Sequence, residues 1–463
     1  MFKASLKLHR IFSFALLLLV GSLFVRAQIN EVKPEEYAAL GEDSLQLAVD
    51  SVAVIQDEVQ TEMQEDRKQP ALFFELLTCS PGKEVYELYG HTALRVSDGN
   101  GMDVVFNYGV FDFNRPYFIW NFVLGRTDYM VQPIPYQIFI QEYQHRGSSV
   151  IAQRLNLNAD EASRLMQRLV DNALPQNREY RYNYLTNNCT TKVRDMIESV
   201  IDGEVKYQES ERVTYRECLH QYTSADAWAE VGDDMLLGAS VDTVLTDRNS
   251  SFLPERLMSY YSQAVIYDME GNSRPLLLGD AQLLVAEREV PAEPGFPLSP
   301  VHVLLILAGL SVFVMLCEYC FKRMIWGYDM LVMLALGLGG LLVTFMFFFS
   351  EHPSVDSNWQ IWLFNPLPLF CMPWVVWRAI KRQFCLYHLV NLALLVLFVV
   401  FSPWIPQHFA MTTLPLACIL LTRPVSYYLF YRRVMFKEQA DDAEQKENNM
   451  NSKIAKKKHT QDE

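Results

Sequence analysis

Residues 180–200, YRYNYLTNNCTTKVRDMIESV, change texture at a single residue. Up to Thr186 tyrosines alternate with polar side chains, the period of an extended segment. From Cys189 onward Val193, Ile197 and Val200 recur at helical spacing, and Asn187 or Asn188 supplies the N-cap. An extended run passing directly into a capped helix predicts an α+β domain that holds a thiol at a helix start. There the unpaired backbone N–H groups and the positive end of the helix dipole favour a thiolate. The same groups suit the oxyanion that forms when sulfur attacks an ester or amide carbonyl.

A thiolate needs a proton carrier, and the segment around it offers His91, His145 and His220. His91 has the most suitable surroundings. In YGHTALRVSDGNGMDVVFNYGVF (89–111), Thr92 to Ser97 and Met102 to Tyr108 read as two strands joined by the turn DGNG. His91 opens the first strand behind Gly90, and the far end of the second brings Asn107 and Tyr108 back beside it. Either could orient the imidazole. A one-residue slip of register exchanges their faces, and Asn107 is the expected partner. Taken singly, Cys189 reads equally as a small buried residue or half of a disulfide, and His91 as a hydrogen-bonded strand histidine.

The rest of the chain says where this thiol lives. The 463 residues are 50% hydrophobic and 13% aromatic, which excludes global disorder, and a net charge of −14 without a basic stripe gives nucleic acid nothing to bind. Lys3, Lys7 and Arg10 precede an apolar run from Ile11 to Val25 that is too short to span a bilayer, so residues 1–27 read as a cleaved secretory signal. Residues 28–70 form an acidic stalk, 71–290 an exported domain, and 291–300 a Pro-rich linker. Apolar stretches at 301–320, 327–349, 361–377, 384–402 and 405–421 predict about five membrane helices within 301–436, followed by a polar tail at 437–463. Lys322 and Arg323, then Arg378, Lys381 and Arg382, then Arg423, Arg432, Arg433 and Lys437 follow the first, third and fifth stretches. That bias places the exported domain outside and the C-terminus in the cytoplasm of a bacterial inner membrane.

Three of the eight cysteines, Cys79, Cys189 and Cys218, fall in the exported domain. An odd number in an oxidising compartment leaves a thiol over, and a bridge between Cys79 and Cys218 would leave Cys189. CEYC at 317–320 has redox-like spacing but ends a membrane helix, where two small apolar residues are the plainer reading. His388 and His408 are intramembrane polar positions, with interhelical hydrogen bonding expected of His388.

The blocks LLTCSPGKEVYELYGHTALRV, FNYGVFDF, YRYNYLTNNCTTKVRD and LLGASVDTVLTDRNSSFLPERL resemble, in order, the Lnb N-terminal periplasmic domain family, with specific matches at Gly90, His91, Asn107, Asn188, Cys189, Arg194 and Asp195. SEHPSVDSNWQIWLFNPL and the helix count resemble the membrane half of the same Bacteroides-type proteins. The resemblance implies a circularly permuted papain-like (NlpC/P60-like) domain, related to lecithin:retinol acyltransferase folds, joined to a transmembrane bundle. It also implies a lipoprotein N-acyltransferase. Cys189, His91 and Asn107 would be catalytic, a membrane phospholipid the acyl donor and a diacylated lipoprotein the acceptor, with no cofactor and no metal. His352, Asp356, Asn358 and Asn365, in and beside the external loop, become candidate substrate-binding residues. A cell-wall peptidase or amidase would use the same Cys189 and His91 without needing a membrane bundle, and a noncatalytic envelope scaffold would tolerate loss of the cysteine.

Overall fold

The computed structural model describes residues 72–82, 87–112, 115–208, 212–224, 226–288 and 296–433. The expected signal peptide, stalk and polar tail lie outside the described residues. Two units divide the chain: residues 72–232, 239–288 and 349–356, and residues 233–238, 296–348 and 357–433. Relative to the expected domains, 233–238 and 349–356 have exchanged membership.

The first unit is built on a seven-stranded antiparallel sheet in the order β10-β5-β1-β2-β3-β4-β6. Its strands are β1 Phe73–Cys79, β2 His91–Ser97, β3 Asp103–Val110, β4 Asp128–Pro135, β5 Val150–Arg154, β6 Glu179–Arg181 and β10 Gln282–Val285. Short strands β7 Glu204–Lys206, β8 Val265–Tyr267 and β9 Ser273–Pro275 make a separate three-stranded sheet. The principal helices are α1 Phe118–Val123, α2 Tyr136–Arg146, α3 Ala159–Ala173, α4 Cys189–Glu198, α5 Tyr215–Thr223 and α6 Pro254–Gln263.

Alternation along the central strands buries both faces of the sheet. Phe74, Leu76, Leu94, Val96, Phe106 and Tyr108 pack with α3, α4 and α6, whereas Leu77, Cys79, Ala93 and Val105 pack with Phe139, Ile140 and Tyr143 of α2. The expected β2–β3 hairpin is present. Asp98 Oδ1 accepts from the backbone N–H groups of Asn100, Gly101 and Met102 at 2.8–3.1 Å, which closes the turn and fixes the register Leu94↔Phe106. The extended run before Cys189 is shorter than its tyrosine alternation suggests. Only 179–181 pair with β4, because Asn183 and Asn187 then bridge each other and Asn183 Oδ1 takes the N–H groups of Leu185 and Thr186.

In the second unit four helices are long and apolar enough to cross a membrane: α7 Pro300–Phe321, α8 Trp326–Phe349, the segment Leu386–Trp404 that begins with α10 Leu386–Phe401, and α11 Thr413–Arg433. The stretch expected as the third of five spans, at 361–377, is instead a 3-10 turn, Trp359–Trp362, followed by α9, Leu367–Ile380. At about 1.5 Å per residue the 14 residues of α9 cover about 21 Å, short of the hydrocarbon core. Small residues in α8 accommodate its start: a Cβ at Gly337 would lie 2.6 Å from Leu369 Cβ, and one at Gly340 would collide with the Asn365 carbonyl. The last helix begins at 413, not 405. Arg423 therefore lies inside it, buried, and does not belong to the flanking charge cluster.

Candidate active site

The start of β2 sets the histidine. Gly90 has φ +72, and a Cβ there would meet the Cys79 carbonyl at 2.6 Å, so only glycine lets β2 begin tight against the end of β1. His91 follows. Its Nε2 lies 2.6 Å from Asn107 Oδ1, so Nε2–H is the donor and Nδ1 is left to face the thiol. The register extends to place Asn107 opposite Ala93 and diagonal to His91 on one sheet face, while Tyr108 turns to the other and donates its hydroxyl to Asn172 Oδ1 at 2.8 Å.

Cys189 is delivered by α4. Asn188, rather than Asn187, is the N-cap, in a reciprocal box with Thr191: Asn188 Oδ1 accepts from Thr191 N–H at 2.9 Å, and Thr191 Oγ1 accepts from Asn188 N–H at 2.8 Å. Asn188 Nδ2 also donates to the carbonyls of Tyr184 (2.8 Å) and Phe252 (3.0 Å), which ties the cap into its surroundings. Thr92 and Thr190, both fully buried, bond hydroxyl to hydroxyl at 3.0 Å and pin the first turn of α4 to β2. Gly109, at φ +92, leaves the space beside the pair: its Cβ would stand 3.5 Å from Cys189 Cβ and 4.0 Å from His91 Cε1.

Electrostatics then set the protonation states. Burial opposes ionisation of Cys189. It is outweighed by the charge of His91, a hydrogen bond from its ring, the Thr92 backbone N–H and the Thr190 hydroxyl, so the thiol is more acidic than an ordinary cysteine. Burial likewise disfavours a charged His91, but the Cys189 charge and hydrogen bonds with Cys189 and Asn107 raise its pKa above the usual value. The arrangement favours a thiolate beside an imidazolium, on a residue that is only half-buried. Cys79 makes the contrast, since its burial drives the thiol pKa far up. Cys79 and Cys218 are both free and buried, which overturns the expected bridge and leaves three thiols in the domain.

The other expected positions have mostly structural partners. Arg194 bonds the Arg248 carbonyl at 2.8 Å and Asp195 pairs with Arg248 at 2.7 Å, bracing α4. His145 and His220 end α2 and α5. His352 Nε2 donates to the Phe122 carbonyl at 2.6 Å, and burial lowers its pKa. Asp356 is exposed on the 3-10 turn Val355–Ser357. Asn358 is a framework residue: it is buried, donates to the Met235 carbonyl at 2.9 Å and accepts from Gln360 N–H and Gln407 Nε2. Asn365 spends its amide within its own turn, on the Trp362 carbonyl and the Leu367 N–H. His388 stacks on Tyr427 with ring centroids 4.1 Å apart, so its interhelical contact is a ring stack and not the expected hydrogen bond. Cys317 and Cys320 are free.

Sequence reasoning missed Thr92, Thr190, Gly109 and two tyrosines near the thiol, Tyr180 and Tyr182, each feeling its charge. Of these only Gly109 left a trace, as the glycine inside an otherwise aromatic strand end.

The thiol–imidazole pair and the apolar helices fall on separate stretches of chain, and each stretch has its own relatives. Residues 61–221 match the Lnb N-terminal periplasmic domain, and residues 291–434 match the Lnb transmembrane domain. Neither a curated protein nor a solved structure matches the chain. With both of its domains matched in order, the chain is a membrane protein with a periplasmic domain, its relatives point to lipoprotein processing, and it belongs to the Lnb family.

Proposed function

We propose that this protein transfers a fatty acyl chain from a membrane phospholipid, through a thioester on Cys189, to the α-amine of a diacylglyceryl-cysteine lipoprotein. The observation that carries the reading is the Cys189–His91 pair, oriented by Asn107, on a domain whose chain continues into membrane-spanning helices. A histidine on a strand preceding a cysteine that opens a helix also supports a circularly permuted papain-like arrangement.

The thiolate attacks the ester carbonyl, forming a C–S bond and an oxyanion that the N–H groups of Cys189 and Thr190 receive. Collapse breaks the C–O bond, and the departing glycerol oxygen takes the proton from His91 Nδ1 and leaves as lysophospholipid. The lipoprotein amine then attacks the thioester while neutral His91 accepts its proton. Breaking the C–S bond releases the amide and restores the ion pair. Asp356, exposed on the turn Val355–Ser357, is the position available for a headgroup or lipoprotein contact. Basic residues after α7 (Lys322, Arg323), α9 (Arg378, Lys381, Arg382) and at the end of α11 (Arg432, Arg433) support an inner-membrane topology with the C-terminus cytoplasmic, in which the 3-10 turn Trp359–Trp362 and α9 cross together as a fifth span beside the four long helices.

Mass spectrometry of lipoprotein N-terminal peptides from cells with and without the protein tests the reading. Triacylated peptides should give way to diacylated peptides with a free amine when the protein is removed. Unchanged acylation with altered wall peptides would favour the amidase instead.

A further inference from the structure

Helix α1 and its N-cap carry large aromatic rings that stand exposed on the first unit. Tyr117 is 81% exposed at φ +61, a backbone conformation unfavourable for a tyrosine, and Trp120 is 57% exposed on the next turn. A surface of this kind facing water would be costly and sticky.

The depth of α1 follows from what it is bonded to. Membrane helix α8 ends at Phe349, and the three residues that follow are held, within the first unit, against the carbonyl end of α1. Ser350 Oγ donates to the Val123 carbonyl (2.9 Å), Glu351 N–H to the Leu124 carbonyl (2.8 Å), and His352 Nε2 to the Phe122 carbonyl (2.6 Å). Glu351 adds ion pairs to Arg126 (2.8 Å) and Arg181 (3.3 Å). Gly125, at φ +69, permits the approach, since a Cβ there would strike the His352 backbone. A membrane helix ends where hydrocarbon gives way to headgroups, so α1 is tied within three residues of that boundary. Exposed Tyr and Trp belong at that level.

Behind α1 the aromatic surface continues inward. Phe118 stacks on Phe111 (centroids 5.8 Å), Phe111 packs tilted on Tyr129 (4.9 Å), Tyr129 stacks on Tyr182 (4.1 Å), and Tyr182 feels the charge of Cys189. Phe111, Phe118 and Tyr182 are each half-buried.

We propose that α1 is the lipid-entry element of this protein: Tyr117 and Trp120 lie in the outer-leaflet interface of the bilayer, and the row Phe118–Phe111–Tyr129–Tyr182 guides one acyl chain of a phospholipid to Cys189. The interfacial half stands on the bonds to 350–352 alone, and the guiding half rests on the acyl-transfer reading.

The full-length protein in vesicles of phosphatidylethanolamine and phosphatidylglycerol, carrying the photocrosslinker p-benzoylphenylalanine in place of Trp120, tests the first half without any activity. Irradiation should give phospholipid adducts several-fold above the same crosslinker in place of Met269, which is 93% exposed in the β8–β9 turn. Equal yields at the two positions, or adducts at 120 carrying a lipoprotein in place of phospholipid, would overturn the proposal. For the second half, the double variant Phe111→Ala, Phe118→Ala should raise KM for vesicle phospholipid in thioester formation about tenfold at unchanged kcat. Its Cys189 should be alkylated by soluble iodoacetamide as fast as in the unmodified protein. An unchanged KM refutes the guiding row. If the unmodified protein forms no thioester while position 120 still captures phospholipid, the acyl-transfer reading and the guiding row fall and the interfacial placement stands.

Discussion

Two clusters of polar side chains, one in each unit, use buried charge to opposite ends. In the first unit Cys189, His91 and Asn107 form a short chain with one link per atom, and the cysteine at its end is only half-buried. In the second, Arg423 of α11 pairs with both oxygens of Glu318 at 3.0 Å and with Asp329 at 2.6 Å, while Ser426 and the Ile325 N–H also bond Glu318. All four side chains of that cluster are buried. The membrane cluster joins α7, α8 and α11 through a guanidinium that stays protonated under any physiological condition. The exported cluster depends on an imidazole that changes state as the reaction proceeds. Reactivity needs one open atom and one partner able to give up its proton, and the membrane cluster has neither.

That contrast can be broken from either side. The largest effect is expected at the reactive cluster: His91→Ala should lower acyl transfer about a thousandfold while leaving thermal stability nearly unchanged. The same change should move the pH midpoint of Cys189 alkylation upward. In the native protein His91 holds that midpoint below the value of an ordinary thiol, and without it the burial that opposes ionisation remains. A His91→Ala protein with an unmoved midpoint would mean that the helix start, not the imidazole, sets the thiolate.

Arg423→Leu should do the reverse. Stranding Glu318 and Asp329 without their cation is expected to cost about 3–5 kcal/mol of stability, read as a lowered unfolding temperature in detergent. Any loss of transfer should only follow the loss of folded protein. Replacing Glu318 and Asp329 together with Arg423 by Gln, Asn and Leu should recover most of the stability. A triple variant as unstable as the single one would show that the charges themselves, rather than their pairing, hold the helices.

The smallest effect is expected at Gly109→Ala. A side chain at φ +92 costs about 1–2 kcal/mol of backbone strain, and the 3.5 Å contact with Cys189 Cβ is tolerable. Transfer should slow only a few-fold, with the alkylation midpoint unmoved. A shifted midpoint would mean that Gly109 contributes to the ion pair and not merely to the room around it.

What could be read in the sequence followed from local rules. The N-cap to within one asparagine, the turn at 98–101 and the periodicity after Cys189 are decided within a few residues, so they were legible. Asn107 against Tyr108 was not, because that choice depends on strand register. The bond between Thr92 and Thr190 joins residues 98 apart and leaves no local signal. Arg423 was misplaced for a different reason. Pro406 and the polar stretch around it delay the last helix to residue 413, and only the folded helices reveal two carboxylates waiting for a cation.

The intact mass of the full-length protein after incubation with phospholipid vesicles bears most directly on the central claim that Cys189 is a nucleophile which carries the acyl chain. The native protein should gain one acyl mass that hydroxylamine removes, and Cys189→Ser, folded and equally bound to the vesicles, should gain none at neutral pH, because the helix start cannot ionise a hydroxyl. A folded Cys189→Ser protein that is acylated, or that still triacylates lipoproteins at the native rate, would contradict the account.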